Sequence, residues 1–175
     1  DRAMNQVQQY CLIDASIGII WQGQDCKFSD WLYIPNINPW RDLLPAEIRM
    51  QLSGKKCGER VEHHYLAGEL LGPWQSERLL KLRPEQFHPP SKGLTAIKPQ
   101  LGRYYPEDIF KGVSGIYQGN PYHCRITALD NEQLSVDCNH PLSTHEITLK
   151  MQIDGIHQAS AEGEGAIAAD LKVVA

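Results

Sequence analysis

The segment that most constrains the fold is LSVDCNHPLSTHEITLKMQI, residues 134–153. Apolar and polar residues alternate at both of its ends, as in half-buried β-strands, and residues 147–153 form the longest clean alternation in the chain. The middle of the segment loses this pattern, and Pro141 has no N–H to donate to a neighbouring strand. A strand must therefore end, turn and restart here, with Asp137 and Asn139 suited to hydrogen bond the turn amides.

Composition narrows the class of protein. The 175 residues are 42% hydrophobic and 22% charged, which is ordinary for a soluble globular protein. The net charge is -4 and the basic residues are scattered, so the sequence does not predict nucleic-acid binding. No apolar run approaches the roughly 20 residues that span a bilayer, and DRAMNQVQQY is too polar for a signal peptide. We therefore expect neither a nucleic-acid nor a membrane partner.

The cysteines and histidines do not form a recognisable site. Five cysteines, an odd number, contain no Cys-x-x-Cys pair, which predicts buried, reduced thiols and a cytoplasmic location. His63 and His64 are adjacent, and neighbours on a strand point to opposite faces. The sequence accordingly predicts no metal site and no cofactor.

The first part of the chain favours strands over helices. QVQQYCLI and GIIW flank the segment DASIG, in which Asp14, Ser16 and Gly18 have turn chemistry, so an initial hairpin is predicted. A later segment, RVEHHYL, alternates as a strand.

One short helix is predicted between these strands. Pro45 suits its first turn, Ile48 and Leu52 lie on one face, and Gly54 is placed to end it. A short helix among strands is the pattern of an α+β fold.

From Gly72 onward the chain changes character. Eight of the eleven prolines lie between positions 73 and 141, and EQFHPPSKGLTAIKPQLG has no sustained period. YYPEDIFKG has the features of a short helix that Gly112 would end, and YHCRITALDNEQLSVDC predicts a hairpin. Beyond His157 the small and polar residues predict a loosely held tail or linker.

These segments together resemble a known family. LLPAEIRMQLSGKKCGERV is similar to the helix and following turn of FK506-binding-protein (FKBP) prolyl isomerases. Residues 104–156, with VDCNHPL among them, resemble the second half of the SlyD-type branch, in which a chaperone domain is inserted in the flap. The resemblance implies an FKBP-like antiparallel sheet with one short helix, plus an inserted small β-rich flap domain. The implied boundaries are 1–71 and 139–157 for the core, 72–138 for the insert and 158–175 for the tail.

The resemblance also implies a prolyl-peptide pocket with no nucleophile, metal or cofactor. The positions carried over are Tyr10, Tyr33, Leu44, Ile48, Leu71 and Leu149. Three positions depart from the family pattern, because Leu71 replaces a tyrosine, Leu149 replaces a phenylalanine, and Asp25 is the nearest acid to the expected aspartate. His140, at the junction, is expected to hold the two domains together through hydrogen bonds.

In the inserted domain, exposed apolar residues would capture unfolded, proline-containing chains. The expected contact residues are Tyr104, Tyr105, Ile109, Phe110, Val113, Ile116 and Tyr117.

Two functions follow from the resemblance and stay open at this point. The first is a peptidyl-prolyl cis-trans isomerase that acts on unfolded or partly folded proteins, with chaperone-like binding by the insert. The second is a weak or inactive binding or holdase module within a larger protein, since similar GRYYP and NHPL segments occur beside methyltransferase domains. The metal handling of SlyD-like proteins depends on a His- and Cys-rich tail, and no His or Cys follows His157.

Overall fold

The computed structural model describes residues 6–89, 97–117, 119 and 122–158. It divides the chain into two compact units. The first unit comprises residues 1–71 and 144–175, and the second unit comprises residues 72–143. The main elements of the described residues are two antiparallel sheets and one short α-helix, which confirms the predicted α+β class.

The first unit is built on a four-stranded antiparallel sheet with the strand order β2-β1-β8-β3. Its elements are β1 (Cys11–Gln22), β2 (Lys27–Ile37), α1 (Ala46–Leu52), β3 (Arg60–Tyr65) and β8 (Ile147–Gln158). The alternating segment 147–153 thus forms a central strand, as predicted, and β8 continues to Gln158, the first residue of the predicted tail. The remainder of that tail lies outside the described residues.

The hairpin predicted around DASIG is wrong, because β1 runs through that segment without a turn. Asp14 and Ser16 alternate with buried apolar neighbours and lie on the opposite face of the strand. Gly18 makes room for a ring, since a Cβ there would lie 2.6 Å from two atoms of the Trp31 indole. The turn-forming residues therefore serve packing and hydrogen bonding within a sheet.

The predicted helix is confirmed. Pro45 directly precedes α1, and both Ile48 and Leu52 are buried along one side of it. Gly54 follows with φ of 78°, a left-handed conformation that ends helices and that glycine adopts without steric cost.

The second unit has its own four-stranded antiparallel sheet, with the strand order β4-β7-β6-β5. Its strands are β4 (Leu79–Leu82), β5 (Tyr104–Pro106), β6 (His123–Leu129) and β7 (Leu134–Asp137). The predicted hairpin is confirmed as β6 and β7. The helix predicted in YYPEDIFKG is wrong, because that segment forms β5 and a single 3-10 turn over Glu107–Ile109.

The junction VDCNHPL turns as predicted but stays with the second unit. The Asn139 backbone N–H donates to the Asp137 carboxylate at 2.9 Å, which confirms the expected side-chain support of the turn. Asn139 also exchanges two hydrogen bonds with the backbone of Gln75. The expected return to the core at residue 139 is therefore corrected, since residues 139–143 belong to the second unit.

The expectation of five reduced cysteines is also corrected. Cys124 on β6 and Cys138, which directly follows β7, form a disulfide, whereas Cys11, Cys26 and Cys57 are free thiols. The adjacent residues Arg125 and Asp137 are register partners, so the antiparallel pairing brings the two cysteines opposite each other. The cytoplasmic location, which rested on reduced thiols, stays a prediction.

Candidate functional site

One face of the first sheet is apolar and is covered by α1. The side chains of β8 at Ile147, Leu149, Met151 and Ile153 alternate onto it, and their β1 partners include Ile17 and Ile19. Helix α1 packs on this face beside β3. We call it the helix-side face.

A hydrogen bond fixes the helix to this face. The Tyr65 hydroxyl on β3 donates to the Glu47 carboxylate on α1 at 3.1 Å. Burial, and then this carboxylate acceptor, raise the pKa of Tyr65. The pKa of Glu47 is lowered by a hydrogen bond from its own backbone N–H and by the Tyr65 hydroxyl. Glu47 is thus charged at neutral pH and holds the helix in place.

Toward β2 the helix-side face carries half-exposed apolar residues. Leu32 is 39% exposed and is the register partner of the buried Ile17. Trp21 and Phe28 are also register partners, and their rings stack with centroids 5.4 Å apart. Apolar surface on this side of the sheet is therefore accessible to a ligand.

The loop before α1 is shaped by its own side chains. The Asn38 side-chain oxygen accepts hydrogen bonds from the Trp40 and Arg41 backbone N–H groups. The Asp42 carboxylate accepts one from the Asn38 backbone N–H at 2.8 Å. Trp40 is held in this turn with 37% of its surface exposed.

Three of the six predicted pocket residues are buried in the first unit. Leu44, Ile48 and Leu149 are 8%, 1% and 7% exposed. Leu149 lies on the helix-side face, Ile48 on α1 and Leu44 immediately before it. Leu71 is half-buried at the end of the first unit.

The two predicted pocket tyrosines are both more than half exposed. Tyr33 pairs with Ser16 on the opposite face of the sheet and is 57% exposed. Burial, and then the negative charges of Asp14 and Asp154, raise the pKa of Tyr33. Tyr10 precedes β1 with φ of 65° and is 72% exposed. The Tyr33 side chain therefore lies on the face opposite α1, and Tyr10 is largely exposed.

The opposite face carries a polar cluster that the sequence did not reveal. Asp14 Oδ2 lies 2.6 Å from His157 Nε2, and Asp14 Oδ1 accepts a hydrogen bond from the Asn36 backbone N–H at 2.9 Å. Burial raises the pKa of Asp14, but these two hydrogen bonds and the His157 charge outweigh it and lower the pKa overall. Ser16 donates to Asp154 at 2.6 Å. The only sequence signal was the period-2 spacing of Asp14 and Ser16.

Three of the seven residues expected to capture unfolded chains are buried instead. Tyr105, Ile109 and Phe110 belong to the core of the second unit and are 7%, 6% and 2% exposed. Their expected surface role is therefore corrected. Partly buried Val113 and Ile116 pack against that core.

Tyr104 and Tyr117 are the two expected capture residues on the surface, at 43% and 69% exposed. Tyr104 lies on the edge strand β5, where Arg125 packs over its ring at 6.0 Å from the centroid. Other exposed apolar residues of this unit are Trp74, Leu79, Ile97, Leu101, Tyr122 and Leu129.

The junction histidine has a local role. His140 Nδ1 accepts from the Leu142 amide at 3.0 Å, and burial lowers the pKa of the ring. A neutral imidazole is the form that accepts at Nδ1, so the lowered pKa and the hydrogen bond agree. The expected link to the other domain stays a prediction.

Comparisons with known proteins leave the family open. No protein-family model matches the chain, and no curated protein matches it. Across the described ranges, no helix has the length and apolar character needed to cross a membrane.

Proposed function

We propose that this protein is a peptidyl-prolyl cis-trans isomerase with an FKBP-like core and chaperone-like binding by the second unit. The observation that carries the proposal is the apolar helix-side face: Leu149 lies on it, Ile48 is buried on the helix that covers it, and Leu44 is buried just before that helix. The chain order supports it too, because residues 72–143 interrupt the first unit between β3 and β8, as an inserted flap domain would.

Prolyl isomerisation does not require a particular catalytic side chain. Rotation about an Xaa-Pro bond crosses a barrier of about 20 kcal/mol and breaks no covalent bond. An apolar pocket accelerates it by excluding water from the imide and by binding the twisted bond better than either planar isomer. Each ~1.4 kcal/mol of that preference is tenfold in rate.

The second unit would raise the concentration of substrate near the pocket. A chain bound through exposed residues such as Tyr104, Tyr117 and Leu101 presents its prolines at a high effective concentration. A pocket with modest intrinsic activity then acts efficiently on unfolded proteins.

A second candidate, an inactive binding or holdase module, is favoured by the placement of Tyr33. With Tyr33 on the face opposite α1, its hydroxyl does not serve as a donor to a peptide carbonyl bound on the helix-side face. Such a protein would bind prolyl peptides without turnover.

The deciding experiment is the proline-limited refolding of a small protein, with a substoichiometric amount of this chain. Ile48 is a poor position for a test variant, because at 1% exposure its replacement would unfold the core. Leu32 and Trp31 are better, since they are neighbours on opposite faces of β2 with similar exposures, 39% and 43%.

We expect the wild type to accelerate refolding with turnover. Leu32→Ala should lower the acceleration about threefold to tenfold, as expected for ~1 kcal/mol of lost apolar contact. Trp31→Ala, the matched control, should retain it. Slower refolding that scales with the amount of added protein would reject the isomerase and support the holdase module.

A further inference from the structure

Three metal-ligating side chains lie close together in the second unit. Among the described residues, Glu107, Cys124 and Cys138 form the one group whose ligand atoms all lie within 4.8 Å of one another. All three residues are buried. The two sulfurs are joined in a disulfide. A tetrahedral zinc ion with sulfur ligands at about 2.3 Å holds two sulfurs about 3.7 Å apart, so the two cysteine side chains must rotate apart to that distance after reduction.

The fold brings these groups together through regular structure. Cys124 alternates with the buried Ile126 on β6, and Cys138 follows β7 two residues after the buried Val136; both cysteines belong to the core of the second unit. Glu107 begins the 3-10 turn after β5, and its amide donates to the Tyr122 carbonyl at 2.9 Å. The ligand atoms are therefore positioned by two paired strands and an anchored turn.

Arg78 orients the carboxylate. Its Nη2 donates to Glu107 Oε1 at 2.9 Å, and its Nε donates to the Cys138 carbonyl at 2.7 Å. The Cys138 amide in turn donates to the Arg78 carbonyl at 2.9 Å. Supporting hydrogen bonds of this kind fix the ligands of metal sites and tune their affinity.

We propose that Glu107, Cys124 and Cys138 bind a thiophilic divalent cation, of which zinc is the natural example, once the disulfide is reduced. A dithiol reductant gives the disulfide two electrons and two protons and is itself oxidised to a disulfide. The cation then replaces the two thiol protons, which leave to solvent. This site is independent of prolyl isomerisation and does not rest on the proposed function.

Charge balance favours a dication over other cations in this buried position. Two thiolates neutralise the dication, and Arg78 neutralises Glu107, so the metal-bound site has no net charge. The disulfide form of the site has no net charge either, because its only charged groups are Arg78 and Glu107, which pair with each other. Thiolate ligands select zinc over magnesium and calcium, which prefer oxygen.

The test uses the full chain with zinc alone as the probe. The protein is reduced with excess dithiol, desalted without oxygen and titrated with zinc by calorimetry, and the oxidised protein is titrated in parallel. We expect one zinc per reduced chain and none at this site in the oxidised chain. Cobalt in place of zinc should give the charge-transfer absorption of a thiolate complex.

Matched cysteine variants assign the site. The double variant Cys26→Ser, Cys57→Ser removes exposed thiols and should still bind one zinc, whereas Cys124→Ser should not. Glu107→Gln keeps an acceptor for Arg78 and should weaken binding at least tenfold. Equal binding by oxidised and reduced wild type, or loss of binding in the Cys26, Cys57 variant, would overturn the proposal even if Cys124→Ser fails to fold.

Discussion

At the scale of single residues, Asp14 shows how a carboxylate in a strand is used. It accepts hydrogen bonds from His157 on β8 and from the amide of Asn36 on β2, so it joins both neighbours of β1. Asn36 has φ of 56°, and the accepted amide hydrogen bond supports that left-handed conformation. Asp14 therefore has a structural role on the face opposite α1.

The lowered pKa of Asp14 makes that role dependent on pH. A depressed carboxyl pKa adds stability above the unfolded value of about 3.9, and this stability is lost as the pH falls through the folded value. Asp14→Asn should cost about 1–2 kcal/mol near pH 6, because hydrogen bonds to a charged group are lost. Urea unfolding between pH 6 and pH 2.5 measures the difference from wild type.

We expect this difference to shrink toward the acid end of the range. Asp30→Asn, which alters an exposed carboxylate on β2, is the control and should change little at any pH. A cost for Asp14→Asn that is the same from pH 6 to pH 2.5 would show that the charge is not what stabilises the contact.

At the scale of elements, the sequence correctly predicted the strands and the helix whose formation depends on residues close together in the chain. The pattern at residues 147–153 and the Pro45 start of α1 both predicted the observed elements, since periodicity and capping are local properties. The prediction of a turn at DASIG was wrong because the partners of these residues are distant in sequence. The Ser16 hydroxyl donates to the Asp154 carboxylate, and Gly18 lies against the Trp31 ring. Turn chemistry and close packing use the same residue types.

The contact between Gly18 and Trp31 gives a test of that explanation. Gly18→Val should destabilise the protein by about 1–2 kcal/mol, because the new side chain displaces the indole from the sheet. In a Trp31→Ala background the same change should be neutral or stabilising, since valine favours strands. A double-mutant cycle by urea unfolding measures the coupling, and simple additivity would contradict it.

The candidate site was predicted only in part for a related reason. Ile48 and Leu149 could be assigned from periodicity, which fixes the buried face of each element. The side of the sheet on which Tyr33 lies depends on its pairing with Ser16, which was not predicted because the turn was expected at DASIG and in fact lies between Gln22 and Lys27. The pairing of Cys124 with Cys138 was inferable, because both flank the hairpin that the sequence did predict.

At the scale of the whole molecule, each unit has its own sheet and its own buried residues, and the disulfide belongs to the second unit alone. It closes a loop of sequence separation 14, for which the loss of chain entropy in the unfolded state is about 3 kcal/mol. The stabilisation should therefore be confined to β4 to β7 and should leave β1, β2, β3 and β8 unchanged.

Hydrogen exchange followed by mass spectrometry tests this on the full chain, with and without reduction and in the presence of a chelator. Amides of β6 and β7 should exchange up to about 100-fold faster after reduction, because ~3 kcal/mol corresponds to a factor of that order. Amides of β1 and β8 serve as the internal control and should keep their rates. Equal acceleration in both sheets would mean that the two units open as one cooperative structure, so that reduction of the second unit would also reach the helix-side face.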